Sequence, residues 1–151
     1  MTSLQYRRDT ATTDDVHAHL ARCDADFTPP LSARLDLRDY AAKLAGRAAC
    51  FEAWDGGRLV GLVAAYVTPG APEAFISNVS VVSELRGQGV AGALVAGCID
   101  VARGSGATTL KLEVATADRA AGRFYEKLGF TDHDPGPEPA GRPTKTLILD
   151  L

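Results

Sequence analysis

The sequence predicts a mixed α/β (α+β) fold in which about four helices pack on a seven-stranded, mostly antiparallel sheet. Two observations carry most of this prediction. The segment 48–67 contains two strand-like runs separated by Asp55–Gly57, a combination typical of a tight hairpin. Farther along, a strand-like run over 74–82, a helical pattern and another strand-like run over 108–114 form a βαβ unit. The two strands of that unit should therefore run parallel.

Length, charge and hydropathy narrow the class of protein. The 151 residues favour a single domain over 1–151. A formal net charge of −3 gives no reason to expect a nucleic-acid partner. The apolar runs are far shorter than the ~20 residues that span a membrane, and the N-terminus lacks the pattern of a signal peptide. We therefore expect a protein that acts without nucleic acid or membrane.

The cysteines and histidines predict no metal site. The three cysteines form no CxxC pair, so neither a zinc site nor a disulfide framework is expected, which fits a reducing cytoplasm. His17 and His19 are two positions apart and would not share a helix face. We expect both of them to be surface residues.

The first half of the chain is predicted to contribute one strand and two helices before the hairpin. Leu4–Arg8 alternates as a strand. Helical spacing follows from Thr12, a capping residue, to Cys23. After a proline-containing break, a second helix is predicted over 36–45, with Gly46 at its stop.

A glycine-rich turn, Arg86–Gly92, follows the strand 74–82 and begins a helix with a wide apolar stripe. Such a turn can hold an anionic group, because the free N–H groups and the dipole of the helix N-terminus favour negative charge there. A P-loop does not fit, since no Gly-Lys-Ser/Thr follows. A dinucleotide-binding fold fits poorly, because antiparallel strands precede the turn.

The C-terminal third is predicted to add a helix and two strands. Asp118 caps the helix, and Gly129 lies at its C-terminal stop. Phe130 and Thr144–Leu149 belong to the last two strands. The loop Asp134–Pro143 between them is too rich in Pro and Gly for regular structure.

Two motifs at the expected distance resemble the GNAT superfamily of N-acetyltransferases. Arg86–Ala91 is similar to that family's R/Q-x-x-G-x-G/A loop. Leu112–Val114, Asp118–Ala121 and Phe124–Phe130 resemble its downstream LEV…N-x-x-A…FYEKLGF segment. The resemblance covers about 59–130. It implies acetyl-CoA as co-substrate and a central parallel strand pair that splays apart to admit the thioester.

The resemblance also implies where acetyl-CoA binds, with its pyrophosphate on the glycine turn and its pantetheine arm along the preceding strand. The implied cofactor-binding residues are Val79, Val81, Val82, Arg86, Gly87, Gln88, Gly89, Val90, Ala91, Gly92, Asp118, Ala121 and Phe124. The family often has Asn at the position of Asp118, and a carboxylate cannot donate an amide N–H. A backbone N–H at Val81 or Val82 is therefore expected to hold the oxyanion.

Tyr125 and Glu113 are the candidate catalytic residues. Tyr125 matches the tyrosine that donates a proton to the leaving thiolate in many members; the alternative is a core aromatic. Glu113 matches the base of acetyltransferases that modify the N-terminal residue of a ribosomal protein, and burial beside apolar strands would raise the pKa of its carboxyl. The alternative is a structural glutamate, and the rivals for the role of base are Glu73, Glu84 and a water held by Asn78.

The acceptor is expected to bind near Phe27, Leu31, Arg34 and Tyr40, together with Asn78. The alternative is that the apolar residues belong to the core and that Arg34 is solvated. No cluster of acidic residues marks a polyamine or aminoglycoside site.

The predicted function is transfer of an acetyl group from acetyl-CoA to a primary amine of a small molecule or a peptide N-terminus, by direct attack on the thioester. A homodimer is an open possibility for its assembly. One alternative within enzymes is an aminoglycoside-type antibiotic acetyltransferase. An alternative of another class is a non-catalytic acyl-CoA-binding module, against which Tyr125 and Glu113 argue, because a pure binder needs neither.

Overall fold

The computed structural model describes residues 3–27, 29–133 and 144–151. Seven strands within them form one sheet in the order β1-β2-β3-β4-β5-β7-β6. The strands are β1 (Gln5–Arg8), β2 (Ala49–Asp55), β3 (Arg58–Tyr66), β4 (Glu73–Val81), β5 (Thr109–Ala115), β6 (Thr131–Asp132) and β7 (Thr144–Asp150). The α-helices are α1 (Thr13–Cys23), α2 (Leu37–Arg47), α3 (Val90–Gly104) and α4 (Arg119–Lys127). The predicted loop 134–143 lies outside the described residues.

The sheet confirms the predicted fold class. Neighbouring strands pair antiparallel except β4 and β5, which are parallel. Their ladder extends from Glu73 opposite Thr109 to Ile76 opposite Leu112 and ends there. Both strands continue for several residues beyond that point. Their C-terminal halves therefore separate, and the separation opens a gap in the middle of the sheet.

Each face of the sheet has its own hydrophobic core. The α3–α4 face includes Val63 and Leu94, and the α1–α2 face includes Leu20 and Leu62. Leu62 and Val63 are neighbours on β3 and are both fully buried, because successive strand residues point to opposite faces. The centre of the sheet is thus covered on both sides.

Two local predictions are wrong. Helix α2 continues through Gly46 to Arg47, and the N–H of Ala48 bonds to the Leu44 carbonyl at 3.0 Å, so this glycine does not end the helix. His19 is fully buried and not a surface residue. It shares the buried face of α1 with Val16 and Cys23, which follows from helical spacing of three and four residues.

No helix in the described parts of the chain combines the length and apolarity needed to cross a membrane. Among those same residues, no three His, Cys, Asp or Glu side chains are grouped so that they could hold a metal ion. The three cysteines are free and buried, and burial raises the pKa of each thiol. These thiols therefore stay protonated at neutral pH.

Candidate active site

A cleft of about 530 Å³ lies against the C-terminal part of β4, beyond the last residue pair of β4 with β5. Its walls come from the end of α1, from β4, from the glycine turn and from α4. The lining residues are Cys23, Asp26, Phe27, Val79, Ser80, Val81, Leu85, Arg86, Gly87, Gly89, Val90, Ala91, Gly92, Asp118, Ala120, Ala121, Phe124 and Tyr125. The glycine turn, Asp118 and the start of the Phe124–Phe130 motif therefore meet around one cavity, whereas Leu112–Val114 does not line it.

The cleft includes most of the predicted cofactor-binding residues and adds others. Val82 and Gln88 do not line it, whereas the remaining predicted residues do. Phe27, expected on the acceptor side, also lines this cleft. The lining residues that had no predicted role are Cys23, Asp26, Ser80, Leu85 and Ala120. The contribution of Cys23, Asp26 and Ser80 depends on how α1 and β4 pack, which no local sequence motif reports, whereas Leu85 and Ala120 adjoin the predicted motifs in sequence.

The backbone of β4 distinguishes Val81 from Val82. The N–H of Val82 bonds to the Val60 carbonyl at 3.0 Å, so it is already used within the sheet. Backbone groups of an antiparallel strand point alternately to its two neighbours. Those of Val79 and Val81 therefore point toward β5, whose pairing with β4 ends at Ile76. Of the two expected oxyanion donors, only Val81 is directed at the gap.

The glycine turn presents backbone N–H groups to the cleft. Gly87 and Gly89 have φ angles of +75° and +81°, a region that residues with a Cβ rarely adopt. Gly89 is the N-cap of α3 and supplies no side-chain cap, so the N–H groups of the first turn lack acceptors within the helix. A Cβ on Gly61 would lie 3.0 Å from Val90 Cγ1, which shows how closely the start of α3 packs on β3.

Arg86 adds a positive charge at the mouth of the cleft. Its Nη2 lies 2.7 Å from Oδ2 of Asp26, and both side chains are partly exposed. Asp26 belongs to the short 3-10 turn that follows α1. This ion pair therefore joins the glycine turn to the segment after α1, at the place where an anionic group would enter.

Helix α4 supplies the opposite wall of the cleft. As predicted, Asp118 is its N-cap, and its side chain accepts a hydrogen bond of 3.0 Å from the N–H of Ala121. The Tyr125 ring packs edge to face on Phe124 and Phe130, with centroid distances of 5.0 and 5.6 Å. Burial, followed by the charge of Asp118, raises the pKa of Tyr125. Tyr125 therefore packs in the core, lines the cleft and stays protonated at neutral pH.

Glu113 lies outside the cleft. Its neighbours Leu112 and Val114 are buried in the α3–α4 core, so Glu113 projects from the opposite face of β5. It is exposed and stands opposite Thr146 of β7. The expectation that this glutamate is buried is therefore wrong, and the desolvation argument for it as a base no longer applies.

The remaining predicted acceptor residues occupy different environments. Leu31 is buried in the α1–α2 core, which matches the packing alternative. Arg34 is exposed. The Tyr40 hydroxyl lies 2.7 Å from Ser77 Oγ. Burial raises the pKa of Tyr40, and side-chain hydrogen bonds with Ser77 and Asn78 partly offset this effect. Tyr40 and Asn78 are thus brought together, whereas Leu31 and Arg34 are not part of one pocket with them.

A buried polar chain behind the cleft was not predicted. Nε2 of His19 lies 2.8 Å from Ser80 Oγ, and Ser80 Oγ lies 2.8 Å from the side-chain amide of Asn78. The other ring nitrogen of His19 faces the Leu59 carbonyl at 3.2 Å. The sequence signal that could have indicated it is the position of His19 on the apolar face of α1.

Comparison with known sequences gives matches to acetyltransferases. The model of the acetyltransferase (GNAT) family matches residues 13–130. The chain is 41% identical over 56 residues to N-alpha-acetyltransferase 30 of Schizosaccharomyces pombe, a match that covers 37% of each chain. It is 33% identical over 102 residues to N-acetyltransferase 8F1 of Rattus norvegicus, covering 64% of this chain and 46% of the relative. The matches span less than half the length of these curated relatives.

Comparison with solved structures supports the fold. An acetyltransferase from Thermus thermophilus superposes with a TM-score of 0.75 at 18% identity, over 100% of both chains. The ribosomal-protein-S18-alanine N-acetyltransferase of Escherichia coli gives 0.69 at 24% identity, over 99% of this chain and 94% of that chain. A Bacillus subtilis acetyltransferase in complex with CoA gives 0.70 at 23% identity, over 99% of both. These similarities extend across nearly the whole chain.

Proposed function

Because this chain belongs to the acetyltransferase (GNAT) family, we propose that it transfers an acetyl group from acetyl-CoA to a primary amine of a small molecule or a peptide N-terminus. The observation that carries the proposal is the cleft against β4, beyond the point where the pairing of β4 with β5 ends. It combines an uncapped helix N-terminus, which suits a pyrophosphate, with a strand edge that suits an amide-containing arm. Two relatives named as N-acetyltransferases and a neighbour with bound CoA support the same assignment.

In the proposed complex the glycine turn holds the pyrophosphate. The first-turn N–H groups of α3 donate to its oxygens, and Arg86 supplies the positive charge. Arg86 must then exchange or share its contact with Asp26. The pantetheine amides pair with the backbone of Val79 and Val81, which β5 leaves unpaired at this level. This places the thioester beside Val81 in the gap of the sheet.

The proposed reaction is a direct acyl transfer. The neutral amine attacks the thioester carbon, a C–N bond forms, and the carbonyl oxygen becomes an oxyanion held by the Val81 N–H. The C–S bond then breaks, the departing thiolate receives a proton from Tyr125, and the nitrogen loses its extra proton, which restores the Tyr125 phenol through solvent. Burial raises the pKa of Tyr125, but the same dry environment penalises the thiolate. The phenol therefore remains a competent donor.

The proposed base is Glu113, acting from the open face of β5. It projects from the same face of the sheet as Asn78, where an acceptor can reach the gap. An α-amino group, with a pKa near ~8, loses its proton more readily than a lysine-like amine near ~10.4. An exposed carboxylate with access to water is better matched to the first of these. The peptide N-terminus is therefore the acceptor to be tested first.

The test is thiol release from acetyl-CoA with a panel of peptides and small amines. We expect turnover with at least one amine, with a faster rate for α-amino groups than for lysine side chains. Binding of acetyl-CoA without turnover on any acceptor, unchanged in Tyr125→Phe, would instead identify a non-catalytic binding module. Mass spectrometry of the acceptor must show one added acetyl group on nitrogen.

A further inference from the structure

A chain of hydrogen bonds runs from the middle of the sheet to the acceptor side of β4. It starts at the carbonyl of Leu59, passes through His19 and Ser80, and ends at Asn78. These residues lie on α1, β3 and β4. The three side chains are buried, at 0%, 6% and 4% exposure for His19, Ser80 and Asn78. Buried polar groups of this kind are nearly always hydrogen-bonded, so the direction of each bond in this set is constrained.

The protonation of His19 sets the donor-to-acceptor direction of the hydrogen-bond chain. Nδ1 faces the Leu59 carbonyl at 3.2 Å, and a carbonyl oxygen only accepts, so Nδ1 must carry a proton. Burial and the nearby charge of Arg22 lower the pKa of His19 to about 4, so the ring is neutral at physiological pH. Nε2 is then without a proton. It must accept the single proton of the Ser80 hydroxyl at 2.8 Å.

The orientation of the Asn78 amide follows from the same assignment of protons. Since the Ser80 hydroxyl gives its proton to His19, it has none left for Asn78, and the amide must donate to Ser80 Oγ. The atom 2.8 Å from Ser80 Oγ is assigned as Oδ1, but the two ends of an amide are distinguished by their hydrogen bonds. Donation requires Nδ2 at that place. Oδ1 is then turned toward the side of β4 where Tyr40 lies.

We propose that His19 is a positioning residue which, through Ser80, holds the Asn78 amide with its oxygen directed toward the acceptor. The oxygen accepts a hydrogen bond from the N–H of the amine and rejects groups that can only accept, such as carboxylate or phosphate oxygens. This inference rests on the proposed amine acetyltransferase activity. It adds a specificity determinant on the acceptor side that the motifs of the cofactor side do not contain.

The groups around His19 keep the hydrogen-bond chain in one direction near neutral pH. Arg22 on its own helix and Arg58 on β3 both disfavour the imidazolium. Arg22 also donates to the Leu59 carbonyl at 2.7 Å. The Cys23 thiol lies 3.8 Å from Nε2, and its pKa is raised by burial, so it adds no charge. Among the described residues, the charged groups that act on His19 are thus Arg22 and Arg58, and both oppose protonation of Nε2.

The direct test is the tautomer of His19 measured by ¹⁵N NMR. The chain has three histidines. Replacing His17 and His133 with Gln therefore leaves His19 as the only histidine in the spectrum. We expect a protonated Nδ1 and an unprotonated Nε2, without titration between about pH 6 and pH 8. A protonated Nε2 in this range, on either a neutral or a charged ring, would overturn the proposed direction.

A second test couples the two ends of the chain. In Asn78→Asp the carboxylate cannot donate, so the Ser80 hydroxyl must turn to it and Nε2 of His19 must become the donor. We expect the ¹⁵N spectrum to change to a protonated Nε2 in this variant. The ionisation of the new carboxyl is read from its ¹³C shift, and an unchanged tautomer in a folded Asn78→Asp protein with an ionised carboxylate would show that His19 and Asn78 are not linked through Ser80.

A kinetic test separates positioning from a merely structural role. His19→Leu removes the acceptor of the Ser80 proton, and we expect kcat for the amine to fall about tenfold with KM for acetyl-CoA within twofold. His19→Gln, whose amide oxygen can accept from Ser80, should recover most of kcat. His17→Gln on the same helix is the matched control and should equal the parent. Equal kcat in all folded variants, or loss of acetyl-CoA binding in His19→Leu alone, would contradict positioning.

The two proposals fail in distinguishable ways. If His19 shows the expected tautomer but no amine is acetylated, the hydrogen-bond chain stands and the proposed function is wrong. If amines are acetylated but Nε2 carries the proton, the function stands and the positioning role is wrong. Should His19→Leu not fold, the Asn78→Asp spectrum decides.

Discussion

The proposed cofactor side and the proposed acceptor side of this molecule are assembled from the chain in opposite ways. The cofactor side uses one continuous segment, 79–92, and helix α4. The acceptor side joins His19 to Ser80 and Tyr40 to Ser77, pairs that are 61 and 37 positions apart. A short motif can encode the first side, because its geometry is local. The second side depends on how α1 and α2 pack on the sheet, so acceptor selection can change without altering the motifs.

The largest expected effect is at the glycine turn, where a substitution should damage the cofactor side and leave the acceptor side intact. Gly89→Val forces a β-branched residue into φ +81° and disturbs the N–H groups proposed for the pyrophosphate. We expect CoA affinity to fall at least ~100-fold, measured by calorimetry. No atom lies within 4 Å of the added Cβ, so the fold should survive.

The matched control for this change is Gly56→Val in the hairpin turn. Gly56 also has a positive φ, +60°, and open space around its Cβ, but it does not line the cleft. Both variants should lose comparable stability in thermal unfolding, while only Gly89→Val loses CoA. Equal CoA affinity in the two variants would mean that the glycine turn is not the pyrophosphate site.

The next largest effect is expected at Tyr125, where the two sides meet. Tyr125→Phe keeps the ring that packs on Phe124 and Phe130 and removes only the proposed donor. We expect kcat to fall about 100-fold with KM for acetyl-CoA nearly unchanged. Tyr6→Phe, at an exposed tyrosine of β1, is the matched control. A similar kcat for the two variants would leave Tyr125 with a packing role alone.

The raised pKa of Tyr125 also predicts the alkaline limb of the rate profile. The donor must be protonated, and a pKa above the ordinary value of 10 keeps it protonated over a wider range. The rate should therefore not decline up to about pH 10 through this group. A decline below that pH which disappears in Tyr125→Phe would contradict the assignment.

The same contrast explains what could be predicted from the sequence. The strands and helices were predictable because hydrophobic periodicity, the Asp55–Gly57 turn and the Asp118 cap are local signals. The burial of Glu113 was wrongly predicted, because alternation along β5 does not show which face carries a covering helix. The role of His19 was missed because its partners come from β3 and β4. Gly46 continues a helix because the N–H of Ala48 still reaches the Leu44 carbonyl.

A smaller effect is expected on the acceptor side at Glu113. Glu113→Gln removes the proposed base, but its exposed position lets water or buffer accept the proton instead. We expect kcat to fall about tenfold for a peptide N-terminus, and more for a lysine-like amine with its higher pKa. Glu73→Gln, which alters the ion pair with Lys111 on the neighbouring strand, tests the rival base. If only Glu73→Gln slows the reaction, the base is misassigned.

The smallest expected effect concerns the contact that links the two sides. Asp26 follows α1, which belongs to the acceptor side, yet it pairs with Arg86 of the glycine turn at 2.7 Å. Both groups are partly exposed, so the pair is worth at most about 1 kcal/mol. Asp26→Asn should release Arg86 for the pyrophosphate and tighten CoA binding about threefold at low salt, with a smaller gain at high salt. Asp14→Asn, which breaks the exposed pair with Arg38, is the control and should leave CoA affinity unchanged. Weaker CoA binding in Asp26→Asn would mean that Asp26 orients Arg86 for the cofactor, so that the acceptor side helps to build the cofactor side.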